Sequence, residues 1–242
     1  MHYVLTRSAY PAAYPLDKNR RRLELTRRVT ARSLASQTER RWSWLVAVDP
    51  EDPLLDERRD VLRGCGVSVV EAQLHQRLDD STIVPDGRLA GDVDRPGAIW
   101  RRAIRCDTAD ERIVTTRLDD DDALAIDAIA RIRASLPEEP AGRSACIMPA
   151  GYRWHANRVQ PMTHMLNMFS SLDSPGELST IMDVRHGGIR RFCPVSYLDR
   201  SPGWLWVRHA DTRSGSRHAG RTPSPTVMGR FDVDWAYLEG VR

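Results

Sequence analysis

Three short β-prone runs separated by stretches of helical periodicity constrain this chain most. Tyr3 to Thr6 forms the first run, Trp42 to Val48 the second and Val67 to Glu71 the third. Between them, Asn19 to Gln37 reads as a helix with Leu25, Val29 and Leu34 on one side and Arg20, Arg21, Arg27, Arg28 and Arg32 turned outward. Leu54 to Arg63 reads as a second, shorter helix closed by Gly64-Cys65-Gly66. Strands that alternate with helices favour an α/β fold, with a mostly parallel central sheet flanked by helices. The second strand stops at Asp49-Pro50, where proline removes a ladder donor.

A fourth strand, Arg112 to Leu118, runs into four consecutive aspartates, Asp119 to Asp122. Neighbouring carboxylates repel by roughly 1 kcal/mol per close pair in water, and by more in a desolvated pocket. A cation or a convergent set of donors is therefore expected beside them. Open α/β sheets bind ligands at the carboxyl ends of their strands, and magnesium or manganese takes oxygen ligands while bridging carboxylates to phosphates. The competing reading is a solvated acidic turn. Ala123 to Ala134 is expected to be helical, with Ala125, Ile129 and Ile132 on one face, Asp121 or Asp122 as its cap, and Pro137 and Pro140 ending it.

With 242 residues and no shift in composition, the chain is expected to form one domain over 1–242, in two halves, 1–140 and 141–242. Asp79 to Gly97 reads as a surface excursion and Ala98 to Cys106 as a helix. In the second half, strands are expected near Ser144 to Pro149, Thr180 to Arg185 and Trp204 to Arg208. A mobile loop is expected over 213–230, and Phe231 to Leu238 is expected to dock the C-terminus.

No apolar run approaches the ~20 residues of a membrane span, and the N-terminal residues lack the pattern of an export signal. A cytoplasmic, soluble or membrane-peripheral protein is expected. Cys65, Cys106, Cys146 and Cys193 form no CxxC pair, so neither a zinc knuckle nor a disulfide framework is implied. A net charge of +3, carried by arginine with Lys18 as the only lysine, does not point to nucleic acid. The arginine-rich first helix reads as a solvated face, with contact to anionic lipid as the alternative.

The block TTRLDDDDAL, with SLASQTERRWSWLVAVD before it and FSSL and WLWVRHADT after it, resembles the rhamnosyltransferase family. That resemblance implies a GT-A-like nucleotide-diphospho-sugar transferase fold, with 1–140 as the nucleotide-sugar-binding half and 141–242 as the acceptor half. The chain departs from the family pattern at Asp120, between the paired acids, and at Ala210-Asp211 after the closing histidine.

By position, the resemblance implies that Asp121 is a direct ligand to Mn2+ or Mg2+, with Asp119 near the ribose or a metal-bound water and Asp122 orienting them. It implies nucleotide-sugar contacts from Thr6, Arg7 and Asp49. Asp49 is read alternatively as the cap of the Pro50 turn, and Arg7 as a solvated loop residue. Period-2 alternation sets Leu205, Val207 and His209 on one face, and the late histidine of such folds makes His209 the expected remaining ligand. A buried core histidine is the alternative, and His186, before Gly187-Gly188, is the competitor.

Asp173 and Glu177 are the candidate bases for the acceptor hydroxyl, each alternatively an ordinary loop acid. Tyr152 and Trp154 are candidates for sugar stacking or for packing. The implied activity is transfer of a sugar from a nucleotide-diphosphate donor to a glycan or lipid-linked acceptor. A sugar-nucleotide nucleotidyltransferase and a catalytically silent nucleotide- or glycan-binding module are the alternatives.

Overall fold

The computed structural model describes residues 1–8, 10, 14–73, 97–176, 178–184, 186–209 and 220–241. In chain order these form β1 (His2–Arg7), α1 (Leu16–Leu25), a π-helical segment (Thr26–Ala31), α2 (Arg32–Ala35), β2 (Ser43–Val48), α3 (Leu55–Arg63), β3 (Val69–Gln73), α4 (Ala98–Asp107) and β4 (Arg112–Arg117). There follow β5 (Ala123–Leu124), α5 (Ala128–Ser135), β6 (Ser144–Ile147), β7 (Ala150–His155), β8 (Arg158–Thr163) and β9 (Ser170–Pro175). The rest comprises two 3-10 turns (Ile181–Asp183 and His186–Gly188), α6 (Ile189–Phe192), β10 (Val195–Tyr197), β11 (Trp204–Val207), α7 (Pro225–Arg230) and α8 (Trp235–Gly240).

Seven strands make the main sheet in the order β10-β6-β9-β4-β1-β2-β3. All of its pairs are parallel except those of β9, which runs antiparallel to β4 and β6. The mostly parallel α/β architecture expected from the alternation of elements is present. Such a sheet must be covered on both faces, because its strands are apolar on both sides. Val4, Trp44, Val46 and Val48 pack into one core with Leu25, Val29 and Leu34, whereas Tyr3, Leu5, Leu45 and Ala47 pack into the other with Trp100 and Ile104 of α4. Alternate residues of each strand thus feed opposite layers.

A second sheet of four strands, β5-β11-β7-β8, lies on the layer of α1 and α2. Trp204 is its anchor, stacked on Phe169 with ring centroids 4.8 Å apart. Gly151 makes room for that indole, since a Cβ there would stand 2.1 Å from the Trp204 ring. The period-2 pattern of Trp204 to Arg208 does form a strand, but the apolar run at Thr180 to Arg185 does not. It becomes a 3-10 turn capped by a reciprocal Thr180–Asp183 box.

The helix expected from Ala123 begins only at Ala128. Ala123 and Leu124 instead pair with Leu205 and Trp204, so neither Asp121 nor Asp122 caps a helix. Nor is the segment expected as a mobile loop uniform. Pro225–Arg230 is helical behind a Ser224 cap, and Arg221 bridges Val159, while residues 213–219 lie outside the described residues, as does all but Gly97 of the excursion expected at Asp79 to Gly97. Among the described residues no helix is long and apolar enough to cross a membrane.

At the amino end of β1, His2 is buried and its Nε2 lies 2.8 Å from Thr116 Oγ1, which in turn lies 2.7 Å from Ser171 Oγ. Burial is the main cause that lowers this imidazole's pKa to about 3. The unfolded chain therefore binds a proton that the native state refuses, from the ordinary histidine value of 6.5 down to about 3. Stability should be fully present above that upper limit and should fall as pH drops through the window, by at most about 1.4 kcal/mol per pH unit. Urea melts at stepped pH should show that slope reduced in His2→Gln relative to the wild type.

Candidate active site

The parallel register brings the carboxyl ends of β1, β2 and β4 together. Ser8 N donates to Ala47 O, and Leu118 N donates to Leu5 O, so Ser8, Asp49 and the acidic quartet emerge on one edge of the sheet. A bonding stripe on the first helical stretch fixes the quartet from behind. Thr26 Oγ1 donates to Asp120 O at 3.0 Å and Thr30 Oγ1 to Asp122 O at 2.8 Å. Gln37 Nε2 donates to Ala125 O, while its Oε1 accepts from Ile129 N. Four polar residues, Thr26, Thr30, Ser33 and Gln37, are all buried. Their spacing of 4, 3 and 4 puts them on one helical face, a polar version of the apolar signal. That face satisfies the carbonyls of a loop that no strand pairs.

Each aspartate of the quartet has a different environment. Asp120 is buried and accepts from Ser8 Oγ at 2.9 Å and Tyr10 OH at 2.6 Å, with Arg22 Nη1 3.3 Å away. Asp121 accepts from the same Arg22 nitrogen, and His209 Nε2 lies 2.9 Å from its Oδ2. Asp122 is turned inward, where its Oδ1 accepts from Val207 N at 2.8 Å and its Oδ2 is buried with no hydrogen-bond partner. Asp119 is the most open of the four, with Arg117 Nε and Nη2 3.4 Å from its Oδ1.

Burial raises the Asp120 carboxyl against the pull of Arg22. Burial pushes Asp122 well above the carboxylate range, and the charges of Asp121 and Asp119 push it further. Burial opposes the charge on Arg22, but Asp120 and Asp121 outweigh it and hold the guanidinium protonated.

The network continues inward through Ser8. Arg58 is fully buried and donates from Nε to Asp52 Oδ2 at 2.9 Å, from Nη1 to Ser8 Oγ at 2.8 Å and from Nη2 to Asn19 Oδ1 at 2.6 Å. Its guanidinium carbon stands 5.0 Å from the Tyr10 ring centroid. Asn19 returns to Asp52 Oδ1 at 2.7 Å. Polar contacts therefore run without a break from Asp52 through Arg58, Ser8, Asp120, Arg22 and Asp121 to His209.

Of the residues singled out in the sequence, the structure joins Asp121 to His209, with Asp119 on the same loop. It does not join the others to them. Thr6 is buried and its hydroxyl accepts from Trp44 Nε1 at 2.9 Å, so it braces β1 against β2. Arg7 ends β1 with an exposed side chain. Asp49 is buried and its Oδ1 accepts from Glu51 N at 2.9 Å, the turn-capping role read as its alternative.

Asp173 is corrected most firmly. It lies opposite Val114 and Ser144 in the middle of the sheet, and both of its oxygens are taken by Arg112, at 3.1 and 2.8 Å. From Val114 to Asp119 the chain advances five residues, roughly 16 Å of strand, so this carboxylate serves the far end of β4. Glu177 lies outside the described residues, and so does the side chain of His186. Trp154 is buried in the core rather than open for stacking.

Arg22, Ser8, Tyr10, Asp52 and Arg58 were not singled out. Arg22 differs from its arginine neighbours only in facing inward, which composition does not reveal. Arg58 sits in an Asp-Glu-Arg-Arg-Asp run that reads as solvated. The signal that was available is the Thr26, Thr30, Ser33, Gln37 spacing.

The family model described as "Putative rhamnosyl transferase" matches residues 93–221, just over half of the chain and including the acidic quartet, β11 and His209. The chain belongs to this glycosyltransferase family. No match among curated proteins reaches significance. Among solved structures, TarS residues 1–349 from S. aureus is similar over 86% of this chain and 60% of its own, at 12% identity and a TM-score of 0.47. TarS in complex with UDP gives 11% identity and a TM-score of 0.46, over 86% of this chain and 61% of its own. Mouse xyloside xylosyltransferase 1 gives 14% identity and a TM-score of 0.39, over 82% of this chain and 86% of its own. The chain thus spans about three-fifths of the TarS segment.

Removing one member of a buried ion pair leaves the other charge uncompensated, at a cost of about 3–5 kcal/mol. Asp52→Ala should therefore lower the unfolding free energy by about that amount, measured by urea denaturation. Arg20, whose guanidinium is exposed and lies 3.9 Å from Glu57, should give less than about 0.5 kcal/mol when replaced by Ala.

Proposed function

We propose that this protein is a metal-dependent GT-A-type glycosyltransferase. It moves a sugar, with rhamnose the candidate its family suggests, from a nucleotide-diphosphate donor to a glycan or lipid-linked acceptor. The observation that carries this reading is the pairing of Asp121 with His209 on the carboxyl edge of a mostly parallel sheet. Those two residues come from β-strand ends 88 positions apart in sequence. A donor nucleotide fits the same edge by the general rule for open α/β sheets.

The donor set suits Mn2+ or Mg2+. Asp121 Oδ2 and His209 Nε2 are 2.9 Å apart, close to the about 3 Å between adjacent ligand atoms around an ion with bonds of about 2.1 Å. Asp119 is near enough in sequence and open enough to act through a water. Among the described residues no three ligating side chains form a metal cluster, so water and phosphate oxygens would have to fill the ion's other positions. When bound, such an ion stabilises the negative charge that develops on the departing diphosphate.

This chain's own residues would hold Asp121 and His209 in place through Arg22, Asp122 and Val207 N. The guanidinium of Arg22 and the buried polar network behind it keep the carboxylate edge from flying apart by self-repulsion. Arg7, at the end of β1, would offer its exposed guanidinium to a phosphate of the nucleotide. Peripheral contact with a membrane would follow if the acceptor is lipid-linked.

Nucleotide sugars of several bases and sugars, incubated with the protein and Mn2+, should include one whose donor hydrolysis or transfer releases nucleoside diphosphate. Asp121→Asn should lower that turnover by about 100-fold or more, the scale on which loss of a charge-stabilising group acts, with circular dichroism unchanged. Turnover in Asp121→Asn equal to that of the wild type would sink the reading.

A further inference from the structure

Arg22 stands where the acidic loop needs positive charge. Its Nη1 donates to Asp121 Oδ2 and lies 3.3 Å from Asp120 Oδ1, while its Nε is buried with no hydrogen-bond acceptor among the described residues. The oxygen it shares is already approached by His209 Nε2 at 2.9 Å. A carboxylate oxygen offers two lone-pair directions, so both directions of Asp121 Oδ2 are occupied, one by a guanidinium and one by an imidazole.

A divalent ion on that oxygen needs one of these directions. The imidazole can remain, because Nε2 is itself a metal ligand when it carries no proton. Arginine cannot, because it has no lone pair to give and carries a charge of the same sign as the ion. The guanidinium is therefore the group that must yield. It leaves with an unsatisfied Nε–H, and a diphosphate offers planar, bidentate acceptance to such a fork.

Building on the metal-dependent reading of the site, we propose that Arg22 is a resident counter-ion of the acidic loop, displaced by the divalent ion and passed to the donor's diphosphate. With Arg22 on Asp120 and Asp121 part of their charge is already compensated, so the ion alone gains less. A diphosphate draws the guanidinium off Asp121 and frees the oxygen. Ion and nucleotide consequently bind in synergy, and each raises the affinity of the other by the same factor. The arrangement keeps the buried carboxylates compensated when no donor is bound, which an empty acidic pocket could not do.

The test is a titration of Mn2+, with the free ion followed by electron paramagnetic resonance, on the wild type, Arg22→Gln and Asp121→Asn. Each is measured alone and with UDP, GDP or dTDP in separate runs. The wild type should bind Mn2+ at least about tenfold more tightly with the matching diphosphate than without it, a coupling of ordinary size for linked sites. Arg22→Gln should bind Mn2+ alone about tenfold more tightly than the wild type and lose most of the synergy.

Should Arg22→Gln fail to fold by circular dichroism, the wild type still decides. The Nε–H resonance of Arg22, assigned by its absence in Arg22→Lys, should move when Mg2+ and the diphosphate are added. Mn2+ affinity and synergy unchanged in Arg22→Gln, with binding still abolished in Asp121→Asn, would overturn the role of Arg22 and leave the metal site standing, as would an Arg22 resonance that stays fixed. No Mn2+ binding to the wild type, with or without any diphosphate, would remove both.

Discussion

Mutual repulsion within the acidic quartet is the constraint around which this protein is organised. Four carboxylates in sequence, three of them buried, cannot share one loop unless the surroundings supply donors or positive charge. The chain supplies both, in two layers. Backbone carbonyls of the loop are met by Thr26 and Thr30, and its carboxylates by Ser8, Tyr10, Arg22, Val207 N and His209. Among the described residues Asp122 keeps a buried oxygen with no partner, and burial with its charged neighbours drives its carboxyl toward the neutral form.

Placing so many polar groups out of water is costly unless each finds a partner, and the fold shows how the partners arrive. Ser8 follows β1, Arg22 and the threonines come from the first helical stretch, and Arg58 comes from α3. His209 and Val207 arrive from β11 in the second sheet. The stacking of Trp204 on Phe169, with Gly151 making room, fixes β11 and therefore His209. A packing feature in the second half of the chain thus sets the geometry of a carboxylate in the first. Arg58 plays the matching part on the other side, because its three bonds tie Asp52, Asn19 and Ser8 into one rigid unit behind Asp120.

Much of the scaffold was legible from local pattern. β1, β2, β3 and β4, the helices after β1 and β2, and the helix at Ala98 carry period-2 or period-3.6 signals, and they form within a few residues of where those signals place them, with a π-helical segment at Thr26–Ala31 inside the first helical stretch. The second half was less legible because β10 and β11 are short, and because β10 and β7 pair with β6 and β11, far along the chain. The stretch after the quartet misleads for a specific reason. Alanine-rich sequence favours helix, yet Ala123 and Leu124 gain ladder bonds from β11 that a helix there would forfeit. Asp173 misleads in the opposite way, since an acid after a small-residue run looks like a loop acid until Arg112 is seen beside it.

By itself, the sequence determined the alternating α/β plan, the delivery of an acidic cluster at the end of a strand, and membership of the family through the blocks around it. Those features depend on neighbours within a few residues, where periodicity and motif spacing are sufficient. The tertiary structure alone decided which of the 36 basic and 33 acidic side chains meet in one buried network, selecting Arg22 and Arg58 over arginines of the same composition and seating His209 against Asp121. The physical reason is that burial and charge pairing are properties of a folded surface, and a chain can bring together residues 88 positions apart only by closing its sheets.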